Sequence, residues 1–109
     1  MAEIRFSPDA LDDLKGIKEY IAQELVNEQA ASDTVSAIMK RVRQLTEFPE
    51  SGMLLSSVIG LDVSYRFIVC GNYIAFYRFE NGVVYVSRVL YGRRDYMRIL
   101  FDEGETHAR

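Results

Sequence analysis

Two dipeptides, Gly71-Asn72 and Asn81-Gly82, constrain this chain more than any other feature of it. Each stands between runs rich in Val, Ile, Phe and Tyr, at residues 63–70, 73–79 and 83–91. Asn-Gly tolerates positive φ at both positions, so it fits a two-residue hairpin whose twist matches the strands it joins. The spacing predicts a three-stranded antiparallel meander. Two-residue turns also set its register: Cys70 opposite Tyr73, Arg66 opposite Tyr77, Glu80 opposite Val83 and Tyr77 opposite Val86. One face then carries Ser64, Arg66, Ile68, Tyr73, Ala75, Tyr77, Val86 and Arg88. The other carries Tyr65, Phe67, Val69, Ile74, Phe76, Val83, Tyr85 and Val89. The second set is more apolar at its centre and is the expected helix-facing side.

Upstream, the hydrophobic period is that of helices. Ile4 and Phe6 alternate within a short strand at residues 3–6. Ser7-Pro8-Asp9 reads as a helix start: a capping hydroxyl, a proline at the first helical position, and an acid at the positive end. Leu11, Leu14, Ile17, Ile21 and Leu25 form an apolar stripe that predicts helix to about Leu25. Asp12 and Asp13 are adjacent on it and are expected to be solvated. Residues 27–31 break the pattern. Val35, Ile38, Val42 and Leu45 make a second stripe, which should stop near Phe48 because Pro49 disfavours helix in the residue before it. Residues 50–62 read as a loop, 93–101 as a short final helix or a tail packed on the sheet, and 102–109 as a frayed polar end. The expected fold is one α+β domain over residues 1–109: an N-terminal strand, a helical hairpin, the meander, and a short C-terminal helix or tail. The helices cover one face of the sheet, because neither can bury its stripe alone.

A chain of 109 residues is long enough for one core without staples. Cys70 is the single cysteine, so no internal disulfide can form, and a reducing cytoplasm is the expected home. No apolar run is long enough for a membrane span, and no signal peptide is expected. The net charge of −3 is uneven. Through Asp62 there are six Lys or Arg against eleven Asp or Glu, and beyond it seven against five. No lysine follows Lys40, and arginine suits planar contacts with carboxylate or phosphate. Arg66, Arg88, Tyr73 and Tyr77 share a predicted face. They could hold a phosphate and stack on bases, bind an acidic peptide, or simply form a hydrogen-bonded surface layer. No metal spacing, phosphate loop or histidine-based nucleophile system is present, and no cofactor is expected. Metal-free cleavage of RNA by arginine and tyrosine is chemically conceivable, but no residue identifies itself as the base.

The stretches "FSPDALDDLKGIKEYI" and "YRFIVCGNYIAFYRFENGVVYVSRVLYGRRD" resemble the RelE/ParE superfamily, the toxins of bacterial type II toxin–antitoxin modules. The resemblance covers nearly the whole chain and is closest to the ParE-like branch, through the Gly92-Arg93-Arg94-Asp95 step. It implies a growth inhibitor neutralised by a cognate antitoxin that wraps the domain. For the ParE-like branch it implies inhibition of DNA gyrase; the alternative is a RelE-like mRNA endonuclease acting on the ribosome. By motif, Arg66 and Arg94 match basic positions of the nucleases, whereas Ile68 and Ile74 fall where those enzymes often carry Lys or Arg. No catalytic residue is assigned. A nuclease would draw on Arg66, Arg88, Arg94 and Tyr96. Candidates for contact with target or antitoxin are Arg66, Tyr73, Tyr77, Arg88, Tyr91, Arg93 and Arg94.

Overall fold

The computed structural model describes residues 1–59 and 64–92. The expected final helix or tail at 93–101 and the polar end at 102–109 lie outside the described residues. β1 (Glu3–Phe6) leads into α1 (Pro8–Glu24) and α2 (Glu28–Arg43), which continues as a single 3-10 turn at Gln44–Thr46. A two-residue β2 (Met53–Leu54) and a one-turn α3 (Ser56–Ile59) occupy the expected loop. β3 (Arg66–Cys70), β4 (Tyr73–Glu80) and β5 (Val83–Tyr91) form the meander. The sheet has five strands in the order β1-β5-β4-β3-β2, with β1 parallel to β5 and the other pairs antiparallel. This is the expected α+β architecture, with the predicted N-terminal strand at one edge of the sheet and the unexpected β2 at the other.

Local chemistry explains the boundaries. The Ser7 side chain accepts the Ala10 N–H, and Pro8 opens α1 as predicted. α2 begins earlier than expected. Asn27 is its cap rather than part of a break, and its side-chain oxygen accepts the Ala30 N–H. Both hairpins have two-residue turns of different kinds. Gly71 alone takes positive φ in the first, while Asn81 and Gly82 both do in the second. All four predicted cross-strand pairs are present.

The predicted facing of the sheet is inverted. Ile68, Cys70, Ala75, Tyr77, Val84, Val86 and Val89 pack against Leu14, Ile17, Ile21, Ile38, Val42 and Leu45 of the helical layer. Phe76 and Leu90 lie on the far side, where Leu55 closes over them with Tyr65, Phe67 and Ile74. Both faces are therefore apolar at their centres, and apolarity alone could not choose between them. Apart from Tyr77 and Ile68, the helix-facing side chains are small, which suits bulky isoleucines and leucines arriving from the helices. A bulge contributes to the error. Tyr77 pairs with Val86 but Phe76 pairs with Arg88, so Ser87 is an extra residue and Val89 returns to the helix side.

That bulge is also where α1 grips the sheet. β1 ends at Phe6, leaving the last residues of β5 without a strand on that edge. The Ser7 hydroxyl donates to the Ser87 carbonyl at 2.7 Å. Asp13 then takes the place of the missing strand. Its Oδ2 accepts the Val89 N–H at 2.9 Å, and both carboxylate oxygens accept from the Arg88 guanidinium at 2.8 Å. The two side chains are 12% and 24% exposed, so the pair is well shielded, and the expectation of a solvated Asp13 is corrected. Asp13→Ala should lower the unfolding free energy by about 2–3 kcal/mol, since it strands a guanidinium and a backbone N–H. Urea unfolding measures this, and the Asp13→Ala/Arg88→Ala double variant should lose less than the sum of the two single losses.

Candidate interaction site

Four of the sequence-derived candidates fall into two groups among the described residues. Arg66 and Tyr77 are directly paired on β3 and β4, and together they clamp residues 49–52. Tyr77 is wholly buried. Its Oη donates to the Pro49 carbonyl at 2.8 Å and accepts the Gly52 N–H at 2.9 Å. Arg66 Nη1 donates to the carbonyls of Glu50 and Gly52 at 3.0 and 2.9 Å. Gly52 is required here because of space: a Cβ on it would lie 2.5 Å from Tyr77 Oη and 2.9 Å from the Phe67 carbonyl. These groups hold the backbone that joins the end of the helical layer to β2.

Tyr73 and Tyr91 form the second group. They are cross-strand partners, with rings in edge contact at 5.8 Å between centroids. With Tyr20, Ile17, Ile21 and Leu25 they line a groove of about 970 Å³ between the helices and the β3–β4 turn. Tyr20 and Leu25 are about 60% exposed and Tyr91 about 40%, so this wall is open to a partner. Arg88 belongs to neither group, being held by Asp13. Arg93, Arg94 and Tyr96 lie outside the described residues. The sequence reading missed three contributors: Asp13, Gly52 and Tyr20. Asp13 lies three residues after buried Ala10 and four before buried Ile17, a helical spacing that could have revealed it. Nothing local marks Gly52, which answers to a tyrosine 25 residues away.

Burial raises three acid groups. It pushes the Tyr77 phenol above its ordinary value, against the pull of the Gly52 N–H and of Arg66 and Arg41. Tyr73 is raised by burial, with Tyr91 and Tyr20 adding to it. Burial also lifts the Cys70 thiol, against Arg41, and Cys70 packs as a small core hydrophobe rather than as an exposed nucleophile.

Comparison with known proteins decides the family. Residues 4–96 match the model of the ParE toxin of type II toxin–antitoxin systems, parDE. The chain belongs to the ParE toxin family. It is the toxin component of such a system, and its partner there is an antitoxin. A solved chain from the chromosomal ParDE toxin–antitoxin system of P. aeruginosa superposes with a TM-score of 0.68 at 18% identity. That match covers 84% of this chain and 96% of the other, and it supports the fold. YafQ from E. coli strain BL21(DE3) gives a TM-score of 0.45 at 17% identity, covering 93% of this chain and 99% of YafQ. No curated protein matches the chain. Among the described residues, no helix is long and apolar enough to cross a membrane.

The clamp and the buried acids generate two expected outcomes. Tyr77→Phe should cost about 1–3 kcal/mol, because it leaves the Gly52 N–H and the Pro49 carbonyl without their partner. Gly52→Ala should cost at least as much through the clash, and thermal unfolding of both variants checks this. Cys70, Tyr73 and Tyr77 each keep their proton to higher pH in the folded chain than in the unfolded one. Their contribution is full below the ordinary thiol and phenol values and is lost as pH rises past them. The urea midpoint should therefore stay flat to about pH 8 and fall between about pH 9 and 11.

Proposed function

We propose that this ParE-family toxin is a non-catalytic inhibitor of DNA gyrase, held inactive by its cognate antitoxin. One observation carries the choice over mRNA cleavage: the bidentate ion pair between Arg88 and Asp13. A nuclease working by arginine must turn the guanidinium toward the scissile phosphate as charge develops there. Arg88 instead neutralises a carboxylate inside the fold, and Arg66, the other described member of that set, donates to two loop carbonyls. Ile68, at a position where the nucleases often carry a cation, is buried in the core. Ile74, at another such position, packs against the far-side cluster. These placements support a protein that acts by binding.

The groove beside Tyr73 and Tyr91 supports a site for apolar anchors of the antitoxin. Aromatic rings with an apolar body and a polar tip favour such a contact. The cytoplasm, where both partners are made, is the proposed location.

Supercoiling by purified gyrase should fall as the free toxin is added and recover on addition of the antitoxin. Translating ribosomes given a defined message should show no cleavage in the A site under the same conditions. Unimpaired supercoiling in the presence of folded toxin overturns the proposal.

A further inference from the structure

The C-terminal end of α2 carries Lys40, Arg41 and Arg43 within one turn. Cations are favoured there by the helix dipole, which explains their presence but not their surroundings. They line one depression of about 720 Å³ together with Gln44, Phe48 and Ser51. Arg41 donates to the Gln44 side chain, and none of the three cations has a carboxylate within 4.0 Å among the described residues. Phe48, on the same wall, is 63% exposed. The backbone beside Phe48 and at Ser51 is fixed by the four hydrogen bonds that Tyr77 and Arg66 make with residues 49–52. A wall holding an exposed ring shares the depression with cations that have no carboxylate partner among the described residues. Such a surface is pre-organised, so a ligand need not order it on binding.

We propose that this depression receives an acidic segment of the antitoxin, with an aliphatic or aromatic residue of that segment packed on Phe48. This rests on the antitoxin being the chain's partner, not on gyrase being its target. Three features favour an acidic peptide over a nucleic-acid backbone. Glu47 lines the same depression, so a continuous row of phosphates meets repulsion that a peptide avoids by setting its few carboxylates against the cations. The whole chain is acidic, which opposes polyanion binding at long range. An exposed phenylalanine offers an anchor to a side chain. Both depressions draw on α2: Ala37 lines the tyrosine groove and Lys40, one turn further along the helix, lines this one.

The test is the affinity of the purified chain for its own antitoxin, measured by titration calorimetry at about 50 mM and about 500 mM NaCl. Lys40→Glu/Arg43→Glu should weaken binding about tenfold or more at the lower salt, and by much less at the higher. Phe48→Ala should weaken it about tenfold at both. Because charge reversal opposes the helix dipole, Lys40→Gln/Arg43→Gln serves as a milder pair, with about threefold weakening expected and thermal unfolding checking that each variant folds. Affinities within twofold of the parent for the glutamine pair and for Phe48→Ala overturn the proposal. Unchanged antitoxin affinity with lost gyrase inhibition also overturns it, assigning the depression to the target. Failure of the unmodified chain to inhibit gyrase would leave the antitoxin result standing.

Discussion

The carboxylate of Asp13 stands where a neighbouring strand would otherwise be. β5 is longer than β1, and the excess would leave bare backbone along an edge lying against α1. Buried N–H and C=O groups need partners, so something other than a strand must supply them. Ser7, the cap of α1, and Asp13, in its second turn, do so, and Arg88 balances the charge that Asp13 brings. The direction of α1 over the sheet follows from these bonds. So does the alignment of Leu14, Ile17 and Ile21 over Val84, Val86 and Val89. The helical hairpin inherits its position from the same contacts.

A second tether holds the chain where it leaves the helical layer. Tyr77 and Arg66 reach from the sheet to residues 49–52 and fix the path by which the chain leaves α2 and reaches β2. Two arginines that seemed available for recognition are thus part of the frame. The proposed mode of action fits this, because a protein that inhibits by contact needs a stable surface more than a movable cation. Among the described residues, the groups proposed for contact are the tyrosine wall of the groove and the cations at the end of α2.

Much of the architecture was legible in the sequence because its signals are local. Asn81-Gly82 fixes a turn by its own backbone preferences, Ser7-Pro8-Asp9 starts a helix, and the register between β3 and β4 follows from turn length alone. The facing of the sheet was not legible. Phe67 and Phe76 on one side and Tyr77 and Val86 on the other give two apolar faces, and the extra Ser87 exchanges the parity of β5 midway. Arg66, Arg88 and Tyr77 were recognised as a group of polar residues, but their partners are carbonyls and a carboxylate distant in sequence. Such pairings leave no periodic trace. Asn27 was taken for a break because a cap and a loop residue share the same composition.

The parallel pairing of β1 with β5 has a consequence for how the protein comes into being. Ser7 bonds to Ser87, 80 residues later, and the strand pairs beside it are separated by the same span. Contacts so distant in sequence close slowly, because the loop entropy must be met before they contribute anything. During synthesis the helical hairpin emerges first and has no sheet on which to bury its stripe. The toxin therefore becomes a folded object only once its last strand has left the ribosome. An antitoxin already present in the cell meets a chain still acquiring the surface it must cover.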